Sequence, residues 1–114
     1  AVLWHQGESD ANPANAPLYD ERLRSVIDRF RRELGNPSLP FIIGQLGRFP
    51  GRPWDDSFER IDAVHRRVVA EVANVALVSS EGLGDNGDNL HFNADGAREL
   101  GRRYAAAYLT LTRR

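Results

Sequence analysis

Leu39-Pro40-Phe41-Ile42-Ile43-Gly44-Gln45-Leu46 is a short apolar run that predicts a buried strand, with Pro40 confined to its beginning. Helical patterns flank this run on both sides. From Leu18 to Leu34 the apolar residues recur on one helical face, and Gly35-Asn36-Pro37 ends the pattern. A second helical pattern covers roughly residues 57–73. The run therefore predicts a strand between two helices that pack against it.

Two further strands and a third helix are predicted outside this unit. The apolar runs Ala1–Trp4 and Val75–Ser79 each end at a polar loop. Asn93 is placed to cap a last helix, and Tyr104 and Tyr108 on its apolar stripe are predicted to be core residues. Strands and helices thus alternate along the whole chain. This order predicts an α/β fold in which helices cover the faces of a parallel sheet.

The composition is that of a globular domain. The chain has 114 residues, of which 41% are hydrophobic and 27% charged, and its formal net charge is -1. All 15 basic residues are arginines diluted by acids, so we predict no nucleic-acid surface, and no long apolar span predicts a membrane role. Without cysteine, the chain forms no disulfide and has no thiol nucleophile or thiolate metal site.

Two polar clusters follow predicted strands. Trp4-His5-Gln6-Gly7-Glu8-Ser9-Asp10 comes after the first strand, and Asp88-Asn89-Leu90-His91-Phe92 lies in the Gly-rich loop after the third. The carboxyl ends of parallel strands meet at one edge of a sheet, where open α/β folds place their sites. We therefore expect the two clusters to form one site.

The second cluster has the residues of a general base. A carboxylate three residues ahead of an imidazole can accept a hydrogen bond from one ring nitrogen, which leaves the other nitrogen free to take a proton. Asp88 and His91 have this spacing. Such a pair serves acyl transfer when a nucleophile and oxyanion donors come from elsewhere.

The two motifs together resemble a known family. Trp-His-Gln-Gly-Glu-Ser-Asp at residues 4–10, Asp-x-x-His-Phe at 88–92 and the helix sequence Ala-Asp-Gly-Ala-Arg-Glu-Leu-Gly-Arg-Arg-Tyr-Ala at 94–105 resemble the sialate O-acetylesterase and acetylxylan esterase group of the SGNH-type hydrolases. The resemblance implies a three-layer α/β/α fold with flavodoxin-like strand order. It also implies an enzyme without a cofactor that removes acetyl groups from sugar hydroxyls, with an acetylated carbohydrate as its partner. A secreted or periplasmic location is a further expectation from the family.

The resemblance also assigns roles to residues of the two motifs. His91 matches the general base, and Asp88 matches the carboxylate that orients it. Glu8 matches a functional acid that could hold His5 or His91 in the productive tautomer. The oxyanion and substrate-binding block corresponds to His5, Gln6 and Gly7.

The sequence departs from the family at the nucleophile. The family has its serine in a Gly-Gln-Ser type turn, whereas Gly44-Gln45-Leu46 has no hydroxyl. Ser79 and Ser80 lack the flanking glycines of a sharp nucleophile turn. Ser9 lies between two carboxylates, which oppose the increase in negative charge that activation requires. We therefore expect the nucleophilic serine upstream of this sequence.

The start of the sequence leads to a related expectation. The chain contains no methionine and opens directly into an apolar run, so we expect residues 1–114 to be the C-terminal part of a single SGNH-like esterase domain. The strands would then be the third, fourth and fifth of the family order, with the N-terminal strands missing. We expect the isolated chain to be inactive, and to be marginally stable or to self-associate through the exposed edge of the first strand.

Two other functions stay open. His5, Glu8, Asp88 and His91 could hold a divalent metal in a hydrolase that needs no serine. Alternatively, the chain could be a non-catalytic sugar-binding remnant. Trp54, in a Pro/Gly-rich loop, could stack on a sugar or pack beneath its own loop. His65 lies on the apolar stripe of the second predicted helix, which indicates a packed histidine.

Overall fold

A three-stranded parallel sheet forms the centre of the computed structural model, which describes residues 1–113. The strands lie in the order β1, β2, β3 and span Val2–Trp4, Phe41–Gly44 and Val75–Val78. The helices α1, α2 and α3 span Tyr19–Glu33, Asp56–Glu71 and Ala94–Thr112. Short 3-10 helices lie at Glu8–Asp10 and Ala16–Leu18. The predicted alternation of strands and helices is confirmed.

The helices cover both faces of the sheet because side chains alternate along each strand. Phe41 and Ile43 point to the face covered by α1 and α2, where they join a buried core with Leu23 and Ile61. On the opposite face, Ile42 packs with residues of α3. The result is the three-layer α/β/α arrangement, and the α/β fold class is confirmed.

The caps explain where two of the helices begin. The side chain of Asp55 accepts a hydrogen bond from the Phe58 N–H and caps α2. The Asn93 side chain accepts a hydrogen bond from the Gly96 N–H at 2.7 Å and caps α3 as predicted.

Tyr104 and Tyr108 differ although both lie on the predicted stripe of α3. Tyr104 is buried on the sheet, but Tyr108 is 41% exposed, so its prediction as a core residue was wrong. Leu3 on β1 is 61% exposed on the same face. The outer edge of β1 pairs with no strand among residues 1–113, which leaves this end of the face open. None of the helices within residues 1–113 combines the length and the hydropathy of a membrane-spanning segment.

Candidate active site

Asp88 and His91 form a hydrogen-bonded pair in the loop between β3 and α3. The Asp88 Oδ2 atom lies 2.6 Å from His91 Nδ1, and because a carboxylate can only accept, Nδ1 donates. The Asp88 Oδ1 atom accepts the backbone N–H groups of Leu90 and His91, each at 2.8 Å. The pair is exposed, so His91 Nε2 is left on the solvent side, where a reacting group can reach it.

The loop itself is held by local hydrogen bonds. The Asp85 carboxylate accepts the N–H groups of Gly87 and Asn89, and Asn86 N–H donates to the carbonyl of His91. Asn89 has a φ of 57°, a left-handed conformation that asparagine tolerates well. These bonds shape the turn that brings the Asp88 side chain back to His91.

The pairing changes the acidity of both groups. The pKa of Asp88 falls to about 2, first because its carboxylate accepts the His91 N–H and next because it bonds to the imidazole. The pKa of His91 is raised above its ordinary value, chiefly by the hydrogen bond to Asp88, and the charge of Glu8 adds a smaller effect in the same direction. His91 is therefore a stronger base than a free histidine.

Gly7 shapes the loop at the end of β1. Its φ of 151° is a conformation that L side chains rarely adopt, and a Cβ added to it would lie 2.8 Å from Ile61 Cγ2. The Gly7 carbonyl accepts the N–H of Asp10, and the Gln6 side-chain amide donates to Asp10 Oδ2 at 2.6 Å. Only glycine allows the chain to turn this close to α2.

The two predicted clusters meet, as the parallel sheet requires. The rings of His5 and Phe92 have centroids 5.3 Å apart, and the Glu8 charge is close enough to raise the pKa of His91. Within residues 1–113, Glu8 makes no side-chain hydrogen bond to His91, which pairs with Asp88 instead. All six predicted site residues thus lie at the carboxyl edge of the sheet.

The end of β2 holds a buried polar network that is not among the features predicted from the sequence. Gln45 donates to Asp62 Oδ1 at 3.1 Å, and its Oε1 accepts both the N–H and the hydroxyl of Ser80. The Ser80 hydroxyl also lies 2.8 Å from the Leu46 carbonyl. A glutamine directly after a fully apolar strand was the available signal. The network ties the ends of β2 and β3 to α2 beneath the site.

The serines near the strand ends are not arranged as nucleophiles. Ser80 is buried in the network just described, and the Ser79 hydroxyl accepts the N–H of Glu81 at 3.0 Å. Ser9 is exposed in the loop after β1. Across residues 1–113, no serine hydroxyl is hydrogen-bonded to the His91 ring.

The four residues of the metal hypothesis do not converge as ligands. In the described part of the chain, no three histidine, aspartate or glutamate side chains come together as a metal site would require. Asp88 and His91 face each other instead, which occupies Nδ1 of the imidazole. The geometry therefore favours proton transfer over metal ligation at this pair.

The aromatic residues near the site are mainly packed. The half-buried Trp54 ring has the Arg48 guanidinium 3.9 Å from its centroid, stacks against Phe58 and packs against the core. Its indole N–H donates to the Gly47 carbonyl. Trp54 therefore packs beneath its own loop, one of the two arrangements that the sequence left open. His65 is fully buried, as its place on the stripe predicts.

Comparisons with known proteins give the family. The sequence profile of the SASA family, described as "carbohydrate esterase, sialic acid-specific acetylesterase", matches residues 1–110. A probable carbohydrate esterase of Arabidopsis thaliana is 33% identical over 111 residues, which are 96% of this chain and 40% of that protein. The chain therefore spans well under half of this relative.

Two solved structures match the fold. The crystal structure of the protein from Arabidopsis thaliana locus At4g34215, the locus of the esterase just described, is 32% identical to this chain. Its TM-score is 0.82, and the match covers 96% of this chain and 44% of that one. A carbohydrate acetylesterase from Xanthomonas citri is 26% identical, with a TM-score of 0.82 over 97% of this chain and 25% of that one. These likenesses confirm the resemblance to SGNH-type carbohydrate esterases. The chain belongs to the SASA family of carbohydrate esterases.

Proposed function

We propose that this chain supplies the general base and the oxyanion loop of a carbohydrate O-acetylesterase, which removes acetyl groups from sugar hydroxyls by a Ser-His-Asp/Glu mechanism. The observation that carries the proposal is the 2.6 Å contact between Asp88 Oδ2 and His91 Nδ1, which leaves Nε2 free on the exposed side of the loop. Membership of a carbohydrate esterase family supports the ester substrate.

The proposed reaction proceeds through an acetyl-serine intermediate. A serine hydroxyl attacks the acetyl carbonyl while His91 Nε2 removes its proton, and the Asp88 carboxylate stabilises the resulting imidazolium. The ester C–O bond then breaks, and His91 returns the proton to the departing sugar oxygen. Water attacks the acetyl-serine, again giving its proton to His91, and acetate leaves as the serine is restored.

The nucleophilic serine lies outside residues 1–114 in this proposal. Ser80 is buried and its hydroxyl is engaged by Gln45 and Leu46, while Ser9 lies between Glu8 and Asp10. A neighbouring carboxylate disfavours an oxygen that must gain negative charge. The relatives are more than twice as long as this chain, so they contain residues for which it has no counterpart.

The loop after β1 is proposed to stabilise the oxyanion. Gln6 and Gly7 directly follow His5, whose ring contacts that of Phe92, the residue after the exposed His91. Backbone N–H groups aimed at the developing charge are effective donors there. Glu8 supports His91 through its charge. His5 is proposed to contact the sugar, since its side chain is exposed and its ring packs on that of Phe92, next to His91.

The test is acetate release from O-acetylated sugars by the natural protein that carries this sequence. His91→Ala removes the base and should lower kcat by about 10²- to 10⁴-fold. Asp88→Asn should also lower kcat, whereas Asp95→Asn is a matched control, since Asp95 is an exposed carboxylate paired with Arg98. A His91→Ala protein with the wild-type rate would reject the proposal.

A further inference from the structure

A buried tyrosine holds the loop on which the proposed oxyanion donor lies. The Tyr19 hydroxyl, on α1, lies 2.9 Å from the Gln6 carbonyl oxygen. Tyr19 is 4% exposed, so the donor of this hydrogen bond is buried, whereas Gln6 is half-buried. Because a carbonyl can only accept, the single hydroxyl proton of Tyr19 is used in this bond.

The other partners of Tyr19 fix the direction of that proton. Trp4 Nε1 lies 3.4 Å from the Tyr19 oxygen, and His65 Nε2 lies 3.0 Å from it. Since the hydroxyl proton is already donated to Gln6, both nitrogens must donate to the oxygen. His65 therefore carries its proton on Nε2, and its buried Nδ1 atom has no hydrogen-bond partner among residues 1–113.

His65 and Tyr19 keep the same protonation state over the pH range in which His91 could act as a base. Burial lowers the pKa of His65 to about 4, so its imidazole is neutral near pH 7. Burial likewise raises the pKa of Tyr19 to about 12, so the hydroxyl keeps its proton. The network therefore keeps one hydrogen-bond arrangement wherever His91 could act as a base.

Holding the Gln6 carbonyl also orients the next N–H. The chain has no cis peptide bond among its described residues, and in a planar trans peptide the C=O of one residue and the N–H of the next point in opposite directions. Tyr19 draws the Gln6 carbonyl toward the core formed with α1 and α2. The Gly7 N–H must therefore point away from that core.

The opposite side is where the base lies. Phe92, next to His91, packs with the core on the α3 face, and its ring contacts the ring of His5. The Gly7 N–H donates to no acceptor within residues 1–113, although Gly7 is buried. A backbone N–H without an acceptor in the folded chain is uncommon, and one at the edge of the sheet that carries the proposed base is suited to a developing negative charge.

We infer that Tyr19 is a positioning residue that aims the Gly7 N–H at the oxyanion, with His65 and Trp4 holding its hydroxyl. This inference rests on the proposed oxyanion role of Gly7. Tyr19 is 15 residues from Trp4 and 46 from His65 in sequence, and it is proposed to act only through the Gln6–Gly7 peptide.

The structure offers a matched control. The Tyr104 hydroxyl, on α3, donates to the Trp4 carbonyl at 2.7 Å from the opposite face of the sheet. Tyr104 is 8% exposed, close to the value for Tyr19. A Tyr→Phe change at either position removes one hydroxyl that donates to a backbone carbonyl in the segment from Trp4 to Gln6. Only the Tyr19 hydroxyl binds the peptide unit that contains the Gly7 N–H.

The experiment measures kcat and KM for acetate release in the natural protein, with thermal melting of every variant. Tyr19→Phe should lower kcat by about 10- to 100-fold, short of the roughly 10²- to 10³-fold for complete loss of an oxyanion donor, and should leave KM within about 2-fold. Tyr104→Phe should keep kcat within about 3-fold at a similar loss of melting temperature. Equal kcat in the two variants, or a change in KM alone, would overturn the inference.

A second variant covers the case in which Tyr19→Phe fails to fold. His65→Leu leaves the tyrosine in place but removes the Nε2–H donor, and it should lower kcat in the same direction; an unchanged kcat would overturn the inference. The His91→Ala variant distinguishes a failure of the proposed function from a failure of the inference about Tyr19. An inactive His91→Ala protein beside a fully active Tyr19→Phe protein rejects the inference alone, whereas a fully active His91→Ala protein rejects the proposed function and the inference with it.

Discussion

The Asp88 carboxylate binds His91 twice, once at the imidazole Nδ1 and once at the backbone N–H. The first contact sets the tautomer of the ring, and the second fixes the ring's position relative to the carboxylate. Both contacts lie within one four-residue turn, so the pair depends little on the rest of the fold. The proposed base is a local structure placed at the edge of the sheet.

We predict that Asp88→Asn shifts the titration of His91 to lower pH. The pKa of His91 is raised mainly by Asp88, so removing that charge should return the pKa toward its ordinary value of about 6.5, with Glu8 keeping part of the rise. NMR titration of the three imidazoles measures this directly. Only the His91 signal should move, and an unchanged His91 pKa would contradict the assigned partner.

The pH dependence of activity has a definite sign. His91 acts as a base only when neutral, so kcat/KM should fall as the pH falls through its raised pKa. In Asp88→Asn this acidic limb should move to lower pH while the plateau drops. A limb that stays in place would mean that another group controls the rate.

We predict that Gly7→Ala destabilises the chain, because it puts a side chain at a φ of 151° and within 2.8 Å of Ile61. The expected loss is about 1–3 kcal/mol from backbone strain, with the steric clash adding to it. Gly101→Ala is the control, since Gly101 is helical with nothing near its missing Cβ, and it should gain about 0.5–1 kcal/mol. Urea denaturation measures both, and equal effects would contradict the role given to Gly7.

The sequence predicted the elements well where periodicity decides them. The apolar run around β2 and the stripe of α1 gave elements within a few residues of those observed. Helix α3 was harder, because Tyr108 follows the stripe but lies where the described sheet leaves the face open. Periodicity reports which face a residue occupies and not whether anything covers it.

Only the part of the site that is local in sequence could be predicted. The Asp88–His91 pair is local, so its spacing in sequence already indicates the contact. The bond from Tyr19 to Gln6 joins residues that are brought together only by the packing of α1 on the sheet. Neither residue type nor spacing signals such a bond. Similarly, whether Asp55 or Asp56 caps α2 depends on backbone angles that the neighbouring acids do not distinguish.

We predict that the isolated chain self-associates through the edge of β1, which pairs with no strand within residues 1–113. Leu3, on this edge strand, is 61% exposed on the face of the sheet that α3 leaves open. Leu3→Lys should weaken the association seen by sedimentation velocity, whereas Leu34→Lys should not, since Leu34 is 63% exposed at the far end of α1. A monomer at every concentration, with a sharp cooperative melt, would contradict this prediction.

We predict that ester hydrolysis by the natural protein survives exhaustive chelation. His5, Glu8, Asp88 and His91 do not form a ligand set in the described structure, and the proposed mechanism uses no metal. Acetate release after dialysis against EDTA should equal that of the untreated protein. Loss of activity that is restored by added zinc would instead support the metal hypothesis.

The central claim is that this chain contributes the base and a serine outside it contributes the nucleophile. Labelling with a serine-reactive fluorophosphonate, followed by mass-spectrometric mapping, tests it most directly in the 114-residue chain and in the natural protein. We expect the folded chain to remain unlabelled, and the natural protein to carry the label on a serine outside residues 1–114, with His91→Ala abolishing it. A label on Ser9 that requires His91 would contradict the claim.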